Sequence, residues 1–290
     1  MRHIVDRLLQ ALPAAAFGPL LLLVQAAQAQ APADPGLLER GRYLMQSIVA
    51  CGNCHTPQGP QGPQLDKELA GGPMGGENGA VFVAANITPD LETGVGRWTD
   101  AQLVSAIREG RRPDGSLIGP PMPVGLYRGL SDRDVAAIVA YLRSVKPVRN
   151  VVGRSSYPFP LPPSYGPPVG SVPEVPRTDP VRYGAYLAGP LGHCVECHSK
   201  PDARGVPDIA GQLGAGGLRF TGPWGVSIAG NITPRGIGHY TDAQLKTVIT
   251  TGVRPDGTRL LPPMGVGYYA RISGPDLDAL VAYLRSLPTK

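Results

Sequence analysis

Apolar residues fall at helical spacing in short stretches that come in matched pairs along the chain. From Pro35 to Ala50, Leu37, Leu38, Tyr43, Leu44 and Ile48 share one broad face, which predicts a helix delivering Cys51 at its end. Thr99 with Gln102 three residues later is a capping-box start and predicts a short helix to Glu109. Ser131 with Asp134 opens another, whose Val135, Ile138, Val139 and Leu142 form an inner stripe. Further on, Asp179-Pro180 opens a helix to about Leu191, Thr241 to Thr251 reads as a second, and Ser273 caps a third from Pro275 to Leu287. Residues 56–97 and 110–130 are rich in Gly and Pro and read as long loops. Loops of that length are uncommon in a compact domain unless they wrap something functional. The fold class is therefore mostly α.

The pairing of stretches is an internal duplication. Asn86-Ile-Thr-Pro89 returns as Asn231-Ile-Thr-Pro234, and Thr99-Asp-Ala-Gln-Leu103 as Thr241-Asp-Ala-Gln-Leu245. Arg112-Pro-Asp-Gly115 returns as Arg254-Pro-Asp-Gly257, and Ala140-Tyr-Leu-Arg-Ser144 as Ala282-Tyr-Leu-Arg-Ser286, the offset staying between 142 and 145 residues. This predicts one domain over 30–146 and its repeat over 179–290. Between them, 147–178 is Pro-rich with little apolar periodicity and reads as an extended, semi-rigid linker whose Tyr157, Phe159, Leu161 and Tyr165 pack along the domain surfaces.

The chemistry lies in Cys51-Gly-Asn-Cys54-His55 and its recurrence Cys194-Val-Glu-Cys197-His198. Cys-x-x-Cys-His is the attachment pattern for c-type haem. Two thiols one helical turn apart reach one edge of the macrocycle, and the histidine next along the chain is placed as proximal axial ligand. A single such motif leaves room for a zinc knuckle or a redox dithiol, and two cysteine pairs for one four-thiolate zinc site. The 143-residue separation, the histidine after each pair and the lack of a βαβ pattern favour two covalently bound haem c groups. Two haems also supply apolar bulk to a chain that holds 39 Gly and 33 Pro and in which only 6% of residues are aromatic. All four cysteines sit in these motifs, so no disulfide is expected.

For the sixth ligand, the repeat singles out Met122 in Gly119-Pro-Pro-Met-Pro123 and Met264 in Leu261-Pro-Pro-Met-Gly265. They follow the proximal His55 and His198 by 67 and 66 residues. A thioether on a proline-stiffened loop suits ferrous and ferric iron alike, and Met/His ligation raises the potential. Met45 and Met74 are rivals in the first half; His193 and His239 are rivals in the second. Asn86, Asn231, Trp98, Tyr240 and Trp224 stand beside these landmarks, as hydrogen-bond partners of haem propionates or in ordinary turn and core roles.

The start, 1–29, reads as an export signal: Arg2 and Arg7, a broken apolar run from Leu8 to Val24, then Ala27-Gln28-Ala29 as a cleavage site. An uncleaved anchor is the alternative. Export places the protein in the periplasm, and no later stretch is long and apolar enough to span a membrane. Formal charge is +5, of which 1–29 holds +1. Two haems add about four propionate negatives and bring the total near neutral, so the basic balance is no argument for nucleic acid.

Each half resembles a class I cytochrome c domain. The whole set of motifs is similar to the cytochrome c subunits of bacterial periplasmic alcohol, gluconate and sugar dehydrogenases. The likeness covers about 36–146 and 179–288. It implies helical domains with a His/Met haem in each, and electron relay from a dehydrogenase catalytic subunit to a quinone, an oxidase or another cytochrome. Any membrane association then runs through partners or an uncleaved signal. The family's third haem motif and its C-terminal membrane-binding segment have no counterpart here, and molybdenum hydroxylases are partners of another kind. The relay reading assigns no substrate chemistry to the chain itself. The competing reading is a dihaem redox enzyme of peroxidase or thiosulfate-oxidising type, which needs an open distal position.

Overall fold

The computed structural model describes residues 34–203 and 205–290. The segment read as an export signal, 1–29, lies outside the described residues. The first half runs α1 (Pro35–Gln46), α2 (Gly52–His55), a two-residue ladder β1 (Gln58–Gly59) and β2 (Gly62–Pro63), a hairpin β3 (Gly72–Glu77) and β4 (Ala80–Ala84), α3 (Asp100–Glu109), α4 (Val124–Tyr127) and α5 (Asp132–Ser144). The second half follows a similar order, with a wide turn and α8 in addition and a single isolated bridge, Pro201 to Pro207, in place of the two-residue ladder: α6 (Pro180–Tyr186), the wide turn over Leu187–Leu191, α7 (Cys194–His198), a hairpin β5 (Arg219–Gly222) and β6 (Gly225–Ile228), α8 (Pro234–Ile237), α9 (Asp242–Thr251), α10 (Val266–Tyr269) and α11 (Gly274–Ser286). Among the described residues no helix is long and apolar enough to cross a membrane.

The helix starts are the capped ones the sequence predicts. Asp34 and Asp179 accept from backbone amides of the first turns of α1 and α6, each with proline next. Thr99 and Thr241 make full capping boxes with Gln102 and Gln244. Ser131 and Ser273 cap α5 and α11. Gly110 and Gly252, both left-handed, end α3 and α9.

Three expectations need correction. The helix placed over 35–50 ends at Gln46, and the chain turns through Ala50, a left-handed non-glycine residue, before the first cysteine. His193 does the same in the second half. The helix placed over 179–191 is regular only to Tyr186 and then widens into a π turn around Pro190, whose ring nitrogen cannot donate. The loop 56–97 contains the β3–β4 hairpin, bulged between Pro73 and Gly75. Its strand pattern is hidden because only one edge of a Gly-rich ribbon packs against protein.

α1 lies on α5 and α6 on α11, with a glycine at each crossing. A Cβ on Gly41 would collide with the Ala137 carbonyl, and one on Gly184 with the Ala279 carbonyl. Around these crossings one apolar core runs through both halves. It takes Leu44, Ile48, Leu130, Ile138 and Leu142 from the first, and Tyr186, Leu187, Leu191, Leu277 and Leu280 from the second. The halves also exchange tyrosines. Tyr43 Oη donates to Asp276 Oδ2 (2.8 Å) and accepts from the Ser273 amide (3.1 Å). Tyr186 Oη donates to Asp134 Oδ2 (2.7 Å) and accepts from the Ser131 amide (3.0 Å). Each aspartate is also ion-paired: Asp134 takes both arms of Arg40 (2.8 and 3.1 Å), and Asp276 takes Arg177 (2.8 Å). A carboxylate this deeply placed needs such partners.

The expected linker residues lie against the first half. Ser156 and Val81 exchange backbone hydrogen bonds, both 2.9 Å. Tyr157 donates to the Pro120 carbonyl and Tyr165 to the Ile118 carbonyl, each at 2.7 Å. Replacing Gly41 or Gly184 by alanine forces a helix pair apart, so each is expected to cost about 1–3 kcal/mol. Urea denaturation of G41A and G184A measures this, with Gly125→Ala, where a Cβ meets open space, as the control.

Candidate haem-binding site

The left-handed residues Ala50 and His193 swing the chain so that each Cys-x-x-Cys-His forms its own tight turn. In the first half the His55 amide closes on the Cys51 carbonyl at 2.9 Å. Cys51 and Cys194 are partly buried and packed against the shared core, while Cys54 is exposed. Burial pushes the Cys51 thiol up to about 12 and the Cys194 thiol up to about 11. Among the described residues no three Cys, His, Asp or Glu side chains converge as a metal-holding group.

The two histidines are fixed in the same way. His55 Nδ1 lies 2.8 Å from the Ala85 carbonyl oxygen, and His198 Nδ1 lies 2.7 Å from that of Gly230. A carbonyl only accepts, so Nδ1 carries the proton and the Nε2 lone pair is left free. Burial lowers the pKa of both rings, and the carbonyl bond opposes it in part. A neutral imidazole with Nδ1 tied to a backbone carbonyl is the form that ligates iron through Nε2. The residues therefore fit a haem.

The Gly-rich loops return to these turns. The amides of Gly71 and Gly216 donate to the His55 and His198 carbonyls, both at 2.7 Å. Both glycines are left-handed and pass so close to backbone that a side chain has no room. Asn86 and Asn231 do a structural job: each amide nitrogen bonds a distant carbonyl, Val148 (2.8 Å) and Lys290 (2.7 Å), and each Oδ1 accepts from the threonine two residues on.

The Pro-Pro-Met segments sit on matching loops. Ile118 and Leu260 donate to Gly110 and Gly252 at 2.7 Å, closing the Arg-Pro-Asp-Gly turns. Pro120–Pro121 and Pro262–Pro263 are both cis. Met122 and Met264 are partly buried against the shared core, just before α4 and α10. Met45 is buried in the core, and Met74 is exposed on β3. The His193 ring meets the edge of Tyr127 at 6.1 Å, and exposed His239 lies against Tyr240 at 4.1 Å.

Residues 38–146 match the family model for cytochrome c. They form a cytochrome c domain. Curated relatives extend the likeness across the chain. A nicotinate dehydrogenase subunit of Pseudomonas putida is 31% identical over 87% of this chain and 21% of its own length. The fructose dehydrogenase cytochrome subunit of Gluconobacter japonicus is 32% identical over 87% of this chain and 53% of its own. A protein named diheme cytochrome c-type from Cereibacter sphaeroides is 28% identical over 82% of each chain. The chain thus spans about half or less of the first two. A cytochrome c domain carries covalent haem and transfers electrons, and the four cysteines here are grouped as such attachment requires.

Sequence reasoning missed the contacts that tie one cytochrome motif to the other half's loop. Asn53, inside the first motif, donates to the Pro263 carbonyl beside Met264 (3.1 Å). Tyr268 Oη sits where any side chain at Gly52 would go. Asn53 has no equivalent in the second motif, where Glu196 stands, so the repeat alone carries no signal for it. Asn53→Ala is expected to loosen the Met264 loop by about 0.5–1.5 kcal/mol. Faster amide exchange at Val266, whose amide bonds the Met264 carbonyl at 2.9 Å, is the readout.

Proposed function

We propose that the protein is a periplasmic dihaem c-type cytochrome, two tandem domains in one chain, that relays electrons from a partner dehydrogenase to the respiratory chain. The carrying observation is that both Cys-x-x-Cys-His turns hold their histidine as a neutral Nδ1–H imidazole with Nε2 free. Cys51, Cys54, Cys194 and Cys197 are the attachment thiols, His55 and His198 the proximal ligands, Met122 and Met264 the distal ones. When bound, the haems supply reversible one-electron chemistry. The polypeptide orients each imidazole, brings a soft thioether on a closed loop, and keeps water out with the core that both halves share. Matched ligand sets leave neither site reserved for substrate, which favours relay over a dihaem enzyme. The names of the relatives favour a dehydrogenase as donor. An oxidase, a quinone or another cytochrome accepts the electrons.

Intact-mass measurement of the exported protein is expected to give two haem additions; one addition sinks the dihaem assignment. Met264→Ala is expected to remove about half of the near-infrared sulfur-to-iron band and to lower one potential, since Met/His ligation raises it. An unchanged spectrum would name another ligand. With peroxide or thiosulfate, the purified cytochrome is expected to show no sustained turnover. Rates of about 1–1,000 per second would assign it to the enzymes instead.

A further inference from the structure

Pro120, Pro121 and Pro123 leave the chain around Met122 almost without backbone donors, because proline has no N–H. Within it the Met122 amide reaches the Gly119 carbonyl at 3.4 Å, and the Val124 amide reaches the Met122 carbonyl at 2.8 Å. What such a loop offers for anchoring is its carbonyls, and side chains from farther along the chain take them. Tyr165 Oη donates to the Ile118 carbonyl and Tyr157 Oη to the Pro120 carbonyl, each at 2.7 Å. Between these two anchors the Tyr157 ring and Leu161 lie over Gly119, so closely that a Cβ there would meet them at 2.6 and 2.7 Å.

The two tyrosines belong to a stretch of chain that is fixed on both sides of them. Upstream, Asn150 Nδ2 donates to the carbonyls of Ala70 (2.9 Å) and Gly71 (3.1 Å), next to the Gly71 amide that holds the His55 carbonyl. Ser155 Oγ accepts from the Val83 amide (2.9 Å), and Ser156 exchanges both backbone bonds with Val81. Both partners lie on β4, which leads into the Ala85 carbonyl at His55 Nδ1. Downstream, the Val169 amide donates to Glu109 Oε1 (2.8 Å), Arg128 donates to the Pro167 carbonyl, and Ser171 and Val172 bond Asp132. One stretch of chain thus runs from the loops of His55 to the loop of Met122, and its anchors keep both tyrosine rings from swinging away.

We propose that Tyr157 and Tyr165 are positioning residues of the first haem site: their hydroxyls hold the Pro120 and Ile118 carbonyls and so keep the Met122 thioether at the iron. The proposal rests on the reading of Met122 as the distal ligand of that haem. A methionine in this loop leaves the iron only if the loop moves, so each contact that favours the closed loop adds to the apparent strength of ligation. Removing one hydroxyl raises the detached fraction by the worth of one hydrogen bond, about 2–10-fold. The Met264 loop is held by different groups, Ser227 on the Pro262 carbonyl (2.6 Å) and Asn53 on the Pro263 carbonyl (3.1 Å). The tyrosines therefore act on one haem only.

The test uses the full, haem-loaded chain and reads displacement of methionine by imidazole, followed in the ferric near-infrared sulfur-to-iron band. In a Met264→Ala background that band reports Met122 alone, and in a Met122→Ala background Met264 alone. Tyr157→Phe and Tyr165→Phe keep each ring and remove only its hydroxyl. Each is expected to lower the imidazole concentration that halves the Met122 band by about 2–10-fold, and to leave the midpoint of the Met264 band where it was. A merely structural role for the tyrosines would lower the urea midpoint and move neither band. The proposal is overturned if the Met122 midpoint stays put in both variants, or if the Met264 midpoint shifts equally. It is also overturned if Gly41→Ala, which strains the α1–α5 crossing, produces the same shift. Loss of the whole band in Met264→Ala, with both tyrosines intact, refutes Met122 as the ligand and the proposal with it. A half-strength band there with unmoved midpoints refutes the proposal alone and leaves the relay reading standing.

Discussion

The reciprocal burial of Tyr43 against Asp276 and Tyr186 against Asp134 is the contact on which the rest of the molecule hangs. Each aspartate sits at the start of the last helix of one half, each tyrosine on the first helix of the other. A buried carboxylate is costly unless its oxygens are bonded, so neither half satisfies its own aspartate fully without the other. The exchange has the form of a two-fold interface folded into a single chain. It sets the first helices α1 and α6, and those helices lead into the two Cys-x-x-Cys-His turns. A core shared across the join then follows, because the apolar faces of α1, α5, α6 and α11 are brought to one place.

On that frame the chemistry needs little machinery. Imidazole has two nitrogens, and a ligand must present one bare. A backbone carbonyl at each Nδ1 makes that choice, and burial keeps the ring neutral. The carbonyls come from Ala85 and Gly230, just past the hairpins, so the glycine-rich loops determine the tautomer. Their glycines are demanded by close passage at Gly71 and Gly216, where backbone meets backbone next to the histidine.

The halves match in motifs and diverge in cover. The first half is roofed by the segment after Val148, which places its tyrosines on the carbonyls of the Met122 loop. The second half has Ser227 for Phe82 and Leu261 for Gly119, and among the described residues no strand or bridge pairs with the outer edge of its hairpin. A duplicated pair of motifs thereby acquires two different surroundings while each keeps its cysteines, histidine and Pro-Pro-Met loop.

Much of this was legible in the sequence because it is local. Capping residues need only the next turn, so Thr99, Ser131, Asp179, Thr241 and Ser273 announce their helices. The cysteines and histidine of each Cys-x-x-Cys-His motif share one short turn, and the duplication matches the Met122 and Met264 loops by position alone. What the sequence could not carry is set by groups far apart in the chain. The left-handed turns at Ala50 and His193 have no glycine to mark them. The carbonyls that fix the two imidazoles are backbone atoms, which any residue supplies. The Tyr–Asp exchange spans more than fifty residues one way and more than two hundred the other, and Asn53 on Pro263 belongs to one half only. Residue types state which chemistry is available; which nitrogen is bare, which carboxylate is satisfied and which strand edge is covered depend on three-dimensional packing and were decided by the tertiary structure.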